Sequence, residues 1–437
     1  MLDIKLLREK PELVKRNCKH RLYDENLVDE ILGLDKLWRE LKGEDDELRA
    51  DRNRVSIQVN EAKKHKKNLE SLIERAKQIN QKLAKNEHQE RELRQKIDEL
   101  LATLPNIVDK SVPIGDASKN KEIFKFGKIP KFKFKIKDHA DLLEGLDILD
   151  TKKASEIAGS RFYYLKNQLV KLNLAIINFA LDFLNQKKFT LIQPPFMIRR
   201  DALSAALPLG AFEEMIYKIE NEDLYLIGTA EHALNAYYMN ETIPQSKLPV
   251  RFAGISPCFR KEAGSHGKDT KGIFRTHQFE KIEQFVFCKP KDSWKEFDFL
   301  LNNSKEMLKQ LGIPFRFVIL SSLDMGRVAT KTIDFEGWFP SQKGYRELGS
   351  CSNCLDYQAR RGNIKFQDNT ELKLVHTLNN TAIATERMIA CIVENNQTSK
   401  GDIKIPKCLW KYTGFKEISS GQKKANEKKT KKGKRKK

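Results

Sequence analysis

Several features that would classify a protein quickly are missing from this sequence. Its 437 residues include no run of about 18 or more apolar side chains, so no segment is expected to span a membrane. The first residues are mixed in charge and amphipathic, unlike a secretory signal. Only seven cysteines occur, at irregular spacings that do not fit a disulfide scaffold. Together these absences predict a protein of the reducing cytoplasm.

The two common nucleotide-binding loops are missing as well. Neither G-x-G-x-x-G nor G-x-x-x-x-G-K-[ST] occurs in the chain. A nucleotide would therefore need a different cradle. Paired arginines can provide one, because their planar guanidinium groups bond phosphate oxygens bidentately.

Positive charge is in excess. The chain has 81 Lys and Arg against 60 Asp and Glu, a formal net charge of +21. Residues 423–437 hold ten basic residues and one glutamate, or +9, so about +12 remains elsewhere. This surplus favours a polyanionic partner, most simply nucleic acid, although a lysine-rich composition can also serve solubility alone. The tail is expected to be disordered, and its removal should weaken RNA binding mainly at low salt.

Residues 27–104 carry two heptad patterns. Apolar side chains alternate spacings of three and four, with polar breaks at Asp45 and Arg52, and a basic stretch at 60–68 separates the two patterns. Two long helices with a short connection are expected to fold back as an antiparallel coiled coil. Its length of roughly 55 Å would make it a projecting arm. A dimerisation coiled coil is the alternative, but the chain already supplies its own partner helix.

The remaining chain predicts an α+β domain built on a mainly antiparallel sheet. Lysine and phenylalanine alternate along residues 128–138, which suits an edge strand. A helix with an apolar stripe is expected over 162–186, and short strands dominate from residue 189 onward. Further helices are expected near 291–311 and 382–396.

One stretch, residues 258–287, reads as a long hairpin that carries several groups suited to a nucleotide. Arg260 and Glu262 are two residues apart and so share a strand face, and Arg275, Phe279 and Glu283 lie on the returning arm. Two guanidinium groups suit a polyphosphate, and an aromatic ring can stack on a base. Taken alone, an ordinary charged hairpin fits the stretch equally well.

Seven segments together resemble the seryl-tRNA synthetase family of class II aminoacyl-tRNA synthetases. They occur in the family's order and spacing and cover nearly the whole chain, in a version closer to archaeal or eukaryotic members than to bacterial ones. The segments are LPNI (104–107), AGSRFYYL (158–165), LIGTAEHAL (226–234), FRKEAGS (259–265), FRTHQFEKIE (274–283), ELGSCSNCLDYQARR (347–361) and HTLNNTAIATERMIACIVENNQ (376–397).

This resemblance implies an organisation and a set of partners. The domains would be a tRNA-binding domain at 1–110 with its coiled-coil arm at about 27–104, a linker and edge segment at 111–160, a class II catalytic domain at 161–420 and a basic tail at 421–437. The partners would be ATP, Mg²⁺, L-serine and tRNA(Ser), with tRNA(Sec) where that RNA is present. The family further implies a homodimer, and the arm would reach the tRNA across the dimer.

The resemblance also implies the roles of individual residues. Arg260 would grip the α-phosphate and the serine carboxylate, Arg275 would hold the β,γ end, and Arg387 would lie across the base and reach the γ-phosphate; these three would be the catalytic residues. The expected ATP-binding set is Arg260, Lys261, Glu262, Arg275, Phe279, Glu347, Ser350 and Arg387. The expected Mg²⁺ ligands are Glu347 and Ser350. The expected serine-binding set is Thr229, Ala230, Glu231, Arg260, Glu283, Asn379 and Thr381.

Some features depart from the family or leave alternatives open. Gly349 stands where the family has a larger residue and is expected to loosen the segment around it. Cys351 and Cys354 form a C-x-x-C pair without a second pair nearby, so structural zinc is disfavoured. The loop at 263–272 is expected to change conformation between the ATP and tRNA steps. A catalytically inactive RNA-binding relative, or a relative that loads carrier proteins, would fit less well, because the arginines, Glu262, Phe279 and the long arm are all present.

Overall fold

The computed structural model describes residues 1–65, 69–208, 214–262, 269 and 271–419. The chain divides into two compact units, Met1–Ile107 and Val108–Lys437. Three sequence-based expectations concern segments that lie at least partly outside the described residues: the basic tail, most of the loop at 263–272, and the last three residues, 66–68, of the basic stretch at 60–68.

The first unit is helical and confirms the predicted antiparallel helix pair. Its helices are α1 (Ile4–Glu9), α2 (Pro11–His20), α3 (Asn26–Lys64) and α4 (Glu70–Thr103). Val55 of α3 packs with Ile79 and Leu83 of α4, and the amide Nδ2 of Asn86 donates to Asp45 Oδ1 at 2.8 Å. With 39 residues, α3 is about 58 Å long.

The two polar breaks in the first heptad pattern behave differently. Asp45 is buried and bonded to the opposite helix, as a seam position should be. Arg52 is exposed, so its assignment to the seam is wrong, and the neighbouring Asp51 instead pairs with Arg75 at 3.0 Å. An α-helix has 3.6 residues per turn, so a strict seven-residue pattern drifts around its surface.

The second unit combines short helices with many strands. Its elements are β1 (Lys121–Phe126), α5 (His139–Gly145), β2 (Leu149–Asp150), α6 (Thr151–Ala158), β3 (Tyr164–Leu165), α7 (Gln168–Gln186), β4 (Thr190–Ile192), β5 (Met197–Ile198), α8 (Arg200–Ala206), β6 (Tyr225–Leu226), α9 (Ala230–Ala236), β7 (Thr242–Ile243), β8 (Val250–Phe259), β9 (Gln278–Cys288), α10 (Ser293–Gln310), β10 (Phe315–Ile319), β11 (Lys331–Phe339), β12 (Gly344–Leu355), α11 (Tyr357–Arg361), β13 (Lys365–Asp368), β14 (Glu371–Leu374), β15 (His376–Ala384), α12 (Thr385–Asn395), β16 (Ile403–Lys404), α13 (Trp410–Thr413) and β17 (Glu417–Ile418).

An eight-stranded sheet organises this unit, in the order β1-β10-β11-β12-β15-β9-β8-β4. Every neighbouring pair in it is antiparallel except β4 with β8. The expected α+β class with a mainly antiparallel sheet is therefore confirmed. One hydrophobic cluster joins the sheet to α7, α10 and α12 through side chains such as Ile176, Leu300, Phe335 and Ile389. Within the described chain, no helix has the length and apolarity needed to cross a bilayer.

The predicted edge strand at 128–138 is wrong. This segment has no regular structure, although its exposed lysines still alternate with half-buried apolar side chains. The sheet edge is occupied by β1, just before it in the chain, which pairs with β10. Pro130 has no N–H to donate to a sheet, and the backbone of Lys137 is bonded by the side chain of Gln397 instead.

The helix expected from residue 162 begins later, at Gln168. The chain before it cannot be helical, because Arg161 and Asn167 have positive φ angles of 63° and 53°. Between them, Tyr164 and Leu165 pair with β2. The result is an irregular segment, residues 159–163, in which the hydroxyl of Tyr163 donates to Glu386.

Candidate active site

The hairpin predicted over 258–287 is present, formed by β8 and β9. Its pairing runs from Val250 opposite Phe287 to Phe259 opposite Gln278. Arg260 follows β8 directly, and its guanidinium lies 5.2 Å from the ring centroid of Phe279. The cation and the aromatic ring proposed from the sequence therefore lie side by side.

One cavity brings together five of the residues expected to bind a nucleotide. Arg260, Glu262, Arg275, Phe279 and Arg387 all line it. They come from the end of β8, the segment before β9, β9 itself and the start of α12. The remaining lining residues are Ile273, Phe274, Thr276, Ala384 and Glu386.

Lys261 lies apart from these residues. Its backbone N–H donates to the carbonyl of Met215 at 3.0 Å, and its ammonium lies 5.8 Å from the ring of Tyr217. It does not line the cavity. The expected strand face shared by Arg260 and Glu262 is wrong, because β8 ends at Phe259 and Glu262 has a positive φ of 47°.

The charged groups around the cavity are already paired with one another. Arg275 Nε donates to Glu262 Oε2 at 2.5 Å, and Arg387 Nη1 lies 2.9 Å from Glu347 Oε1. Arg387 also lies over the ring of Phe274, 5.3 Å from its centroid. The attraction of Arg387 lowers the pKa of the Glu347 carboxyl below its usual range.

A β-bulge places the two expected metal ligands on one face of β12. Residues three apart, such as Glu347 and Ser350, would face opposite ways on a regular strand. The register against β11 shifts between Phe335 and Glu336, which leaves Leu348 as the extra residue. Glu347 and Ser350 therefore point the same way, because a bulge re-aims the side chains beside it.

Asp334 joins this face, and the sequence patterns did not single it out. It lies on β11 directly opposite Ser350. Its Oδ1 is buried with no hydrogen-bond partner among the described residues, and burial together with nearby Glu347 raises its pKa well above the usual range. Strand partners of this kind are invisible in a sequence, since Asp334 belongs to a different strand.

Oxygen donors of this type suit Mg²⁺, a hard cation that takes one or two protein carboxylates and completes its shell with phosphate oxygens and water. Within the described ranges, no group of three or more His, Cys, Asp or Glu residues could by itself hold a metal ion. Cys351 and Cys354 are both buried, and no disulfide forms between described cysteines. The face around Glu347 therefore fits a metal that shares its ligands with a substrate.

The residues expected to bind serine meet around the N-terminus of α9. Thr229 caps this helix by accepting from the Glu231 N–H, and its hydroxyl donates to Glu283 Oε2 at 3.2 Å. Asn379 Nδ2 donates to Glu231 Oε1 at 3.0 Å, and Thr381 lies opposite Glu283 in the β15–β9 pairing. Ala230 is the exception, because its side chain packs in a hydrophobic cluster.

A second, larger cavity adjoins these residues. Thr229 and Glu231 line it, and so does Arg260. Arg260 therefore lines both cavities, and its Nε donates to the carbonyl of Gly228 at 3.1 Å, which fixes it at their junction. His232 also lines the second cavity; burial and the charge of Arg260 lower its pKa to about 3, so its ring is neutral.

Two carboxylates lie close together in this region. Burial and the neighbouring Glu283 raise the pKa of Glu231 to about 7. Glu283 itself forms an ion pair with the buried ammonium of Lys281. Lys281 was missed from the sequence, although period-two spacing along β9 places it on the face shared by Phe279 and Glu283.

Close packing explains why residue 349 is a glycine, which the sequence alone did not suggest. A Cβ at this position would lie 2.4 Å from Phe335 Cζ and 2.7 Å from Thr381 Cβ. Such distances are far inside van der Waals contact. The glycine therefore allows β12 to approach Thr381 closely, and the expected loosening of the segment is wrong.

Two family models match the chain. The Seryl-tRNA synthetase N-terminal domain matches residues 1–108, and the tRNA synthetase class II core domain (G, H, P, S and T) matches residues 215–396. The chain is also similar to a serine–tRNA ligase of Nitrosopumilus maritimus, with 49% identity over 417 residues that make up 95% of this chain and 99% of that protein.

Solved structures give the same result. The seryl-tRNA synthetase of Pyrococcus horikoshii, complexed with ATP, superposes with a TM-score of 0.92 at 46% identity, covering 96% of this chain and 99% of that one. The cytoplasmic serine–tRNA ligase of Naegleria fowleri, in complex with AMP, superposes with a TM-score of 0.86 at 37% identity and the same coverage. With both family models and near-complete coverage by relatives, the chain belongs to the class II seryl-tRNA synthetases.

Proposed function

We propose that this serine–tRNA ligase forms seryl-adenylate across its two adjoining cavities, with ATP in the smaller one and L-serine in the larger one. The observation that carries the proposal is the position of Arg260, which lines both cavities. The reacting atoms are the serine carboxylate and the α-phosphorus of ATP. A guanidinium at the junction can bond both anions at once and hold them together.

In the first step, a carboxylate oxygen of serine attacks the α-phosphorus in line, and pyrophosphate leaves. In the second, the 3′-OH of the terminal adenosine of tRNA attacks the carbonyl carbon of the adenylate, and AMP leaves. The first step needs little acid or base catalysis. Positioning and stabilisation of charge on the phosphate oxygens supply the rate, and three arginines around the nucleotide cavity provide both.

The adenine ring would lie in the smaller cavity against Phe279, with Arg387 on its other face. Glu262 would accept from the adenine amino group. Arg275, which pairs with Glu262 through Nε, would direct its terminal nitrogens to the β,γ end of the triphosphate. These roles match the residue types and the shared lining of the cavity.

Serine would be held by its charged groups and by its hydroxyl. Glu283 would take the ammonium group and so share its carboxylate with Lys281, and Arg260 would take the carboxylate. Asn379 and Thr381 would lie near the hydroxyl. Alanine would leave such buried polar groups without partners, which is an effective way to reject an analogue that lacks a hydroxyl.

Mg²⁺ would be held by Glu347 and Ser350 together with phosphate oxygens of ATP. When bound, it neutralises charge on the phosphates. The buried Oδ1 of Asp334, which has no hydrogen-bond partner among the described residues, lies on the same face and supports this placement.

The proposed macromolecular partners follow the family. They are tRNA(Ser), tRNA(Sec) where it occurs, and a second copy of the chain in a homodimer, in the cytoplasm. The helix pair α3 and α4 would bind the tRNA. The positive net charge of +21 supports binding to a polyanion of this kind.

Replacement of Arg260 tests the assignment. Arg260→Ala should lower the rate of serine-dependent ATP–pyrophosphate exchange by at least about 10²–10³-fold, as for the loss of a charge-stabilising donor. Thermal stability and tRNA binding should stay unchanged. Arg199→Ala, an exposed arginine outside both cavities, is the matched control. Exchange at the wild-type rate in the Arg260 variant would remove this residue from the mechanism.

A further inference from the structure

Gln358 on α11 contacts Glu231, a residue that lines the larger cavity and lies 127 positions away in sequence. Its side chain is 0% exposed. The amide nitrogen Nε2 donates to Glu231 Oε1 at 2.7 Å and to the carbonyl of Ala206 at 3.1 Å. The amide oxygen accepts from Thr377 Oγ1 at 2.6 Å. Both N–H groups of the amide are therefore used.

These three bonds fix the orientation of the amide. A flipped Gln358 would set its carbonyl oxygen against Glu231 Oε1 and against the carbonyl of Ala206, and all of these atoms are acceptors. Thr377 also holds the oxygen in place from the other side. A buried amide with every partner satisfied is rigid, whereas an unsatisfied one is costly.

The fixed amide of Gln358 in turn determines the surroundings of the Glu231 carboxyl group. Its Oε1 receives two N–H donors, one from Gln358 and one from Asn379. No described residue donates to its other oxygen, Oε2, and the residue lines the larger cavity. Two amide donors on one oxygen favour the ionised carboxylate, whereas burial and Glu283 oppose it.

The same glutamine also ties two walls of the cavity together. Ala206, the acceptor of its second N–H, lines the cavity beside Glu231. Arg361, also on α11, donates from Nε to the carbonyl of Ser204 at 2.7 Å and so anchors α8 independently. Of the two, Gln358 alone touches a carboxylate that lines the cavity.

We infer that Gln358 is a positioning residue for the amino acid: its bond to Oε1 holds the Glu231 carboxyl group turned so that Oε2 accepts a hydrogen bond from bound serine. This inference rests on the proposed function, because that function assigns the larger cavity to serine. Gln358 itself touches no substrate and acts through Glu231.

The test replaces Gln358 by methionine, which keeps the length of the side chain and removes the donors. Gln358→Met should raise KM for serine in pyrophosphate exchange by about 10–100-fold, the loss expected for a hydrogen bond to a charged group. KM for ATP should change little, since no contact of Gln358 reaches the smaller cavity.

The pH profile provides a readout that a purely structural role would not move. Removal of the Gln358 donor should shift the rise of kcat/KM for serine to higher pH, because Glu231 then holds its proton more tightly. The charged and titratable groups facing Glu231 are Glu283 and Lys281 on β9, Arg260 after β8, His232 on α9 and Cys354 on β12. They stay the same in both proteins.

Two further variants keep the test decisive. Thr377→Val removes only the bond that orients the amide, and it should produce a smaller change in the same direction even if Gln358→Met folds poorly. Gln397→Met is the matched control, because Gln397 is also buried but bonds the backbone of Lys137 and Glu394. Its KM for serine should equal that of the wild type.

The results distinguish a failure of the role assigned to Gln358 from a failure of the proposed function. If Gln358→Met and Thr377→Val lose stability as Gln397→Met does but keep the wild-type KM and pH profile for serine, Gln358 is structural only and the inference is wrong. If the wild type itself shows no serine-dependent exchange, the proposed function fails instead.

Discussion

Three carboxyl groups of the candidate site, on α9, β11 and α12, hold their protons more tightly than exposed carboxyl groups do. Glu231, Asp334 and Glu386 all have pKa values raised above the usual range, and burial is the largest cause for each. The second influence on the carboxyl group differs among the three residues. Glu283 acts on Glu231, Glu347 acts on Asp334, and the hydroxyl of Tyr163 bonds Glu386.

Glu386 gives a prediction for stability against pH. Burial raises its pKa from 4.5 to about 7. Between these values the unfolded chain releases the proton and the folded chain keeps it, so the free energy of unfolding falls as pH rises from about 4.5 to about 7. Glu386→Gln removes this contribution, and the Tm of the variant minus that of the wild type should increase as pH rises from about 5 to about 8.

The pH dependence, rather than the offset at one pH, is the result that counts. Glu386 also accepts from the backbone N–H of Glu280 and from Thr385, and a change in those bonds would shift Tm equally at every pH. Glu220→Gln, at an exposed position, is the control. A difference in Tm that stays flat across the range would show that Glu386 is not protonated near neutrality.

Gly349 gives a prediction for packing. Gly349→Ala would force the new methyl group against Phe335 and Thr381, so the free energy of unfolding should fall by about 1–3 kcal/mol, as in other overpacked cores. KM for serine should rise as well, because Thr381 must move. Gly326→Ala, where a Cβ meets no atom within 4 Å, is the control. An alanine at 349 that leaves both Tm and KM unchanged would contradict the close approach.

At this scale, the sequence predicts a residue where regular spacing or a family motif points to it. Phe279 and Glu283 follow from period two along β9, whereas Arg260 and Glu262 lie beyond the end of β8 and follow from the family motif. Gln358 does not, because its role depends on a contact between segments more than a hundred residues apart. Asp334 depends on which strand lies beside β12, and strand neighbours are set by the tertiary fold.

Among the elements, bulges do as much as strands to build the site. One bulge, at Leu348, turns Glu347 and Ser350 to the same face of β12. Another shifts β15 against β9 just after Thr381. A bulge adds one unpaired residue, and nothing in the local sequence requires it, so the strands could be predicted from the sequence but not these local reorientations. The edge strand predicted at 128–138 was wrong for a similar reason: the tertiary fold places β1, not that segment, at the edge of the sheet.

The helix pair α3 and α4 can be tested as an element. A variant that lacks residues 49–82 and joins the helices through a short Gly-Ser linker keeps the contact between Asp45 and Asn86. Serine-dependent exchange should remain near the wild-type rate. Charging of tRNA(Ser) should fall by roughly 100-fold, as when several phosphate contacts are lost.

A charge-swapped pair, Asp51→Arg with Arg75→Asp, controls for changes in the helices themselves, because it keeps their ion pair. It should charge tRNA normally. Full charging by the shortened variant would rule out a role of this region in binding tRNA.

For the whole molecule, the sequence predicts the architecture well because local patterns agree with the global fold. Heptads predict the helix pair of the first unit, and alternating strands predict the antiparallel sheet of the second. The sequence does not predict which distant segments come into contact. The two cavities form where β8, β9, α9 and α12 converge. Arg260 at their junction connects this architecture to the chemistry.

The central claim is that the paired cavities activate serine and no other amino acid. The most direct test is ATP–pyrophosphate exchange by the purified full-length chain with a panel of serine, threonine, alanine, glycine and cysteine. Exchange should depend strongly on serine and stay near background with alanine, which lacks the hydroxyl. Faster exchange with any other member of the panel, or none with serine, would contradict the account.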